Sequence, residues 1–190
     1  YSLKRYWAGQ PVPVLEAALP DGPHRVFFSV QAEIRHHKYW GSYVDVYNKE
    51  AIAHFLELTH ERYHRHVGKD FGALIRSVFV DETFPHWSRL LPAAFREQYG
   101  YDLCDCLHAL QAADHPDHHR VRADLQRLKY RLFCESFEQP YASWCRRHNL
   151  AYCGEKDSLR LSQLAYMDIP GCDPGHTKAG APLDLLGGTP

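Results

Sequence analysis

Two apolar runs in this chain stop at carboxylates. One is Leu74-Ile-Arg-Ser-Val-Phe-Val-Asp81-Glu82; the other is Leu150-Ala-Tyr-Cys153, ending at Gly154-Glu155. Short β-branched runs of this kind read as buried strands. Parallel strands covered on both faces are continuously hydrophobic rather than alternating. In such folds the functional groups gather at the carboxyl ends of the strands, which share one rim. Two carboxyl groups facing a common cleft suit acid–base cleavage of a glycosidic bond. One protonates the leaving oxygen, and the other attacks the anomeric carbon or activates water; a separation of roughly 5 Å or 6.5–9.5 Å decides which. Glu82 and Glu155 are therefore the candidate catalytic pair. Asp81 stands beside Glu82 and would raise its pKa by like-charge repulsion. Adjacent strand residues point to opposite faces, which weakens that coupling. The plainer reading makes Asp81 a helix cap or loop acceptor, Glu82 a solvated first-turn acid, and Glu155 a helix-start acid after Gly154.

Aromatic side chains surround these acids in sequence. Trp87 follows Glu82 by five positions, and Trp40 and Tyr43 lie in an earlier polar, aromatic loop. Flat apolar rings with polar rims stack on sugar faces, so all three are candidate substrate-binding residues. Core or loop packing accounts for each equally well. His176 and Asp173, in the tail, are candidates to reach the same cleft; a solvated turn is the simpler account of both. A competing chemistry is metal-dependent hydrolysis, using His36-His37 or Asp114-His115-Pro-Asp117-His118-His119. Histidines and carboxylates bind zinc well, but the second group falls between helices, away from the strand ends. No metal ligand is assigned at the rim.

The elements that must position these residues can be read in order. Residues 1–24 carry Pro11, Pro13, Pro20 and Pro23 and a turn signal at Asp21-Gly22. Arg25–Ala32 reads as a strand. Asn48 is an N-cap, and a helix runs from about Lys49 to His66, with Ile52, Phe55, Leu56 and Thr59 on one face and Gly68 as its stop. After the strand at Leu74–Val80, helices are expected over Ser88–Tyr99 and Asp102–Ala112. A long one follows over Val121–His148, kinked or divided by Pro140. The segment from Ile169 is rich in proline and glycine and reads as a loop-rich tail over 170–190. Alternating strands and helices imply a parallel sheet. The expected fold is thus α/β, a partial or small (β/α) TIM-type barrel with parallel strands and long crossover helices. Only about three strands are visible, whereas a complete barrel takes roughly 250 residues. With no initiator Met before Tyr1, the chain is expected to be one domain or a section of a longer enzyme.

The totals narrow the function classes. A chain of 190 residues can bury a core, and 45% apolar with 24% charged residues is ordinary for a globular domain. A formal charge of -1 argues against a large nucleic-acid footprint. No run is long enough to span a bilayer, and no signal peptide is visible. The six cysteines form no compact disulfide framework, and Cys104-Asp-Cys106 lacks the spacer of a zinc knuckle. Reduced thiols and a cytoplasmic setting are expected.

Several spaced motifs resemble one family. Tyr43-Val-Asp45-Val-Tyr-Asn48 leads into a helix, then come Phe71-Gly72 and Phe79-Val-Asp81-Glu82. Tyr99-Gly-Tyr101-Asp102, Trp144-Cys-Arg-Arg-His148, Leu150 to Glu155, and Met167-Asp-Ile-Pro170-Gly171-Cys-Asp173 continue the pattern. Over about residues 40–175 this is similar to the barrel of α-L-rhamnosidase-type glycoside hydrolases (family 106 and its relatives). The resemblance implies hydrolysis of O-glycosidic bonds, with a carbohydrate as partner. It implies Glu82 as a catalytic or substrate-binding acid, Glu155 as a second carboxylate near the sugar, and Asp45 at a strand end facing the same rim. It also implies calcium near the site, although no loop here has calcium-ligand spacing; the residues themselves call for no cofactor. Thr83 departs from the family, which usually has proline after the acid pair. The flanking strands and accessory β-domains are also missing, so further barrel segments or neighbouring domains are expected as partners. A non-catalytic carbohydrate-binding or scaffold module is the alternative.

Overall fold

The computed structural model describes residues 21–31, 42–81, 87–155 and 165–171, together with Leu19 and Thr83. The elements are α1 (Lys49–Leu58), α2 (His60–Val67), β1 (Ser77–Val80), α3 (Leu91–Tyr99), α4 (Leu107–Gln111), α5 (His118–Phe133), α6 (Gln139–Arg147), β2 (Ala151–Glu155) and β3 (Ile169–Gly171). The strands form a three-stranded parallel sheet in the order β1-β2-β3. The fold is α/β. Among the described residues no helix is long and apolar enough to cross a membrane.

The local signals explain where the helices start and stop. Asn48 caps α1, its side-chain oxygen accepting from the amides of Glu50 and Ala51 at 3.0 and 3.2 Å. The single helix expected to His66 is divided at Thr59. The Thr59 hydroxyl donates back to the Phe55 carbonyl at 2.6 Å, competing with the helix ladder. α3 ends at Gly100, which takes the left-handed conformation (φ 77°) of a helix stop. The long helix expected over Val121–His148 begins earlier, at His118, and is interrupted by a π turn at Cys134–Glu138 just before Pro140. Proline cannot donate to the ladder, so the turn that precedes it widens.

Two strand assignments change. Residues 22–31 have no sheet partner among the described residues, and Phe28 and Val30 are exposed. Arg25 instead forms a two-pronged ion pair with Asp114, at 2.9 and 2.8 Å. Conversely, Ile169–Gly171, expected to open the loop-rich tail, is β3. Its pairing is set by Asp168: the Asp168 amide donates to the Tyr152 carbonyl at 2.8 Å, and the carboxylate accepts from the Tyr152 amide at 2.9 Å. A backbone ladder overrides the local preference of Pro170 and Gly171 at the end of a strand.

The core lies between one face of the sheet and the helices. Tyr152, Phe95, Phe133, Ile52, Leu91, Leu103, Leu128, Val121 and Val46 are its most buried large side chains. Phe133, Phe137 and Tyr141 stack in series down α5, the π turn and α6, and Tyr141 meets Tyr152 of β2. The Tyr152 hydroxyl donates to Glu138 Oε2 at 2.6 Å, so the buried carboxylate of the π turn is held by the strand it packs on. His60 joins α2 to α6. Thr59 spends its proton on Phe55, so its hydroxyl accepts from His60 Nδ1; His60 Nε2 then accepts from the Tyr141 hydroxyl at 2.6 Å. Burial pushes the His60 imidazole down to about 4, leaving it neutral at pH 7. On the opposite face of the sheet Phe79 and Ile169 are 58% and 55% exposed. The helices therefore cover one face of the sheet, and those two side chains mark the other.

Candidate functional site

Strand register decides which acids share a level of the rim. Val80 of β1 pairs with Gly154 of β2, and Glu155 pairs with Gly171 of β3. Asp81 directly follows the paired Val80, and Glu155 directly follows the paired Gly154. Residues in register on parallel strands point to the same face. The paired Val80 and Gly154 thus each precede an acid, Asp81 and Glu155, and Glu155 is level with Gly171. Glu82 lies outside the described residues, as do Trp40 and His176.

Glycine permits this rim to close. A Cβ placed on Gly154 would lie 2.4 Å from the Val80 carbonyl oxygen. Any side chain there would push β1 from β2 immediately below Asp81 and Glu155. The sequence signal for this is slight: a glycine one position before an acid at a strand end.

Asp45 is not at a strand end. It lies in the turn before α1, with one carboxylate oxygen accepting from the Tyr47 amide at 3.0 Å and the other from the Ser88 hydroxyl at 2.6 Å. Ser88 also accepts from the Leu90 amide at 3.1 Å. Asp45 therefore ties the entry of α1 to the segment that leads from β1 into α3. Both of its oxygens are engaged in holding that connection. Tyr43 is partly buried against the core. Trp87 is 39% exposed, just before Ser88.

Among the described residues, the acids and histidines of the Asp114–His119 segment form no assembled metal centre. Asp114 is taken by Arg25, Asp117 by Arg120, and the buried His118 Nδ1 by the Ala109 carbonyl at 2.8 Å. His115 Nε2 lies 3.3 Å from His108 Nε2, and its Nδ1 accepts from the Asp117 amide at 3.1 Å. His36 and His37 lie outside the described residues. Among the described residues one group of three does converge, and it was not among the sequence candidates. One donor atom each from Glu61, His64 and His148 lies within 4.8 Å of the others. Its sequence trace is Glu61-x-x-His64 on a helix, one turn apart on the same face. The third member is 84 positions further on in sequence, which spacing alone does not connect.

Parallel strands with acids at their carboxyl ends, backed by helices on one side, define an α/β unit of the kind that carries sites at its rim. No protein-family profile matches the chain, and no curated protein matches its sequence. Among solved structures, the rhamnosidase from Novosphingobium sp. PP1Y is similar in fold, with a TM-score of 0.50 and 20% identity over 67% of this chain. The chain spans 14% of the length of that rhamnosidase chain. At this identity the likeness concerns the fold.

Proposed function

We propose that this chain is a segment of a (β/α)-barrel glycoside hydrolase. Asp81-Glu82 and Glu155 serve as its rim carboxylates, and an O-glycoside such as an α-L-rhamnoside is its substrate. The observation that carries the reading is the parallel pairing of Val80 with Gly154, each followed directly by an acid, Asp81 and Glu155, at the carboxyl ends of neighbouring strands. Adjacent strands lie about 4.8 Å apart, so carboxyl groups on this rim are within the range that acid–base cleavage of a glycosidic bond uses. The fold-level likeness to a section of a rhamnosidase supports the same reading. Trp87 and Tyr43 are the proposed stacking partners for the sugar, with Trp40 and His176 as further contacts. Asp45 positions the segment that carries Trp87, through Ser88.

The test is hydrolysis of aryl glycosides by the chain and by Asp81→Asn, Glu82→Gln and Glu155→Gln variants with unchanged circular dichroism. The expected loss is about 10²–10⁴-fold for the general acid or base. Turnover that survives all three substitutions would overturn the assignment. A second reading, a carbohydrate-binding module without turnover, is favoured by one observation: Phe79 and Ile169 are apolar side chains more than half exposed on one face of the sheet. Saturable sugar binding with no hydrolysis would select it.

A further inference from the structure

The convergence of Glu61, His64 and His148 lies at the other end of the sheet from the acid rim. His148 follows α6 and precedes β2 by three residues, so it stands at the amino end of that strand. Glu61 and His64 project from one face of α2, which precedes β1. We propose that these three side chains form a binding site for a divalent cation of the zinc class, with a fourth position open to water.

The donor chemistry selects the ion. Two imidazoles and one carboxylate suit zinc and neighbouring transition metals. They do not suit calcium, which takes six to eight oxygens. The tautomer of His148 is also fixed. Its Nδ1 lies 2.8 Å from the Trp144 carbonyl, which can only accept, so Nδ1 carries the proton and Nε2 presents its lone pair. A histidine ligand ordinarily donates its second N–H to just such a carbonyl.

The supporting residues are built around the same point. Trp144 holds two of the three ligands: its carbonyl orients His148, and its indole N–H donates to Glu61 Oε1 at 2.6 Å. That hydrogen bond leaves Oε2 for the ion. Oε2 is also the oxygen nearest His64 Nδ1, at 3.8 Å. The His148 ring stacks on the indole at 4.3 Å, and the His64 ring meets His148 edge to face at 4.3 Å. Phe71 lies against His64, and Gly68 leaves the space that the His64 ring fills; a Cβ at Gly68 would be 2.5 Å from His64 Cδ2. Donor atoms around a tetrahedral zinc stand roughly 3.4 Å apart, given bonds of about 2.1 Å. Closure from the present spacing therefore needs side-chain rotation of about an ångström. The half-exposed His64 is free to make it, whereas His148 is fixed. The bound ion would clamp α2 to the junction of α6 and β2.

The experiment is a titration of the chelator-washed chain, free of affinity-tag histidines, with zinc chloride, followed by calorimetry and by thermal unfolding. One equivalent is expected to bind, and at a hundredfold excess of zinc over Kd the Tm is expected to rise by roughly 5–10 °C. His64→Ala is expected to keep the parent's circular dichroism without zinc and to lose both the bound equivalent and the zinc-dependent rise in Tm. Trp144→Phe, which removes the indole N–H and trims the ring that His148 stacks on, is expected to weaken zinc binding about tenfold or more. His115→Ala, which breaks the separate His108–His115 pair, is expected to bind zinc like the parent. The proposal is overturned if the parent chain shows no bound equivalent. It is equally overturned if His64→Ala retains that equivalent or His115→Ala abolishes it.

Discussion

The indole N–H of Trp144 donates to Glu61 Oε1 across 2.6 Å, joining α6 to α2 although the two residues are 83 apart in sequence. This bond is the largest cause holding the Glu61 carboxyl below its ordinary pKa. Trp144→Phe keeps most of the buried ring and removes the donor. The Glu61 pKa is then expected to rise toward that of a free glutamate, read by NMR titration of its side chain. The buried ring also shrinks, so the accompanying loss of stability in urea unfolding is expected to be about 1–3 kcal/mol.

Gly154→Ala tests how tightly the acid rim is built. The added methyl group would meet the Val80 carbonyl, which belongs to a paired strand and cannot swing aside. Overpacking of this sort costs roughly 1–3 kcal/mol. Denaturant unfolding should show that loss. Under the glycosidase reading, activity should fall as well, because the substitution separates Asp81 from Glu155 without removing either carboxylate.

Ser88→Ala removes the hydroxyl that satisfies Asp45 Oδ2. A half-buried carboxylate oxygen left without its donor is expected to cost about 1–3 kcal/mol. Ser88→Thr retains the hydroxyl and should recover most of that stability. An unchanged unfolding midpoint in Ser88→Ala would show that the Asp45 clamp contributes nothing.

Asn48→Ala should cost about 1 kcal/mol through loss of the α1 cap, while Asn48→Asp should be nearly neutral because a carboxylate accepts from the same amides. Circular dichroism during urea unfolding measures both.

Stability is expected to fall steadily at alkaline pH. Burial pushes the Cys145 thiol up to about 12 from an ordinary value of 9.0. It raises the Tyr47, Tyr141 and Tyr152 hydroxyls as well, with Glu138 adding to the effect on Tyr152. Between the ordinary and the raised value, the folded chain holds protons that the unfolded chain has released. The unfolding free energy therefore decreases with rising pH. For Cys145 this contribution is complete below about pH 9 and is lost on the way to about 12. Urea midpoints measured from pH 8 to 11 should decline, and alkylation of Cys145 in the folded chain should remain slow over that range.

Much of the fold was legible because local chemistry set it. Asn48 and Gly100 mark helix ends through side-chain capping and left-handed backbone. Leu74–Val80 and Leu150–Cys153 announce strands through continuous apolarity, although the first forms only over Ser77–Val80 with Leu74 exposed in the preceding turn, and Pro140 marks the break in the long helix. Strand pairing was less accessible. Arg25–Ala32 has the composition of a strand, but composition does not supply a partner. Ile169–Gly171 has the composition of a turn, and it pairs because Asp168 fastens it to Tyr152.

The sequence by itself determined that this chain carries acids at the ends of apolar strands, because that pattern is written in contiguous residues. Tertiary structure alone decided that Val80 and Gly154, the residues just before Asp81 and Glu155, are paired. Register is a property of two strands, and a shift of one residue exchanges their faces. It also decided that Glu61 and His64 meet His148. That encounter depends on how α2 packs against α6 around Trp144, a contact between segments more than 80 residues apart.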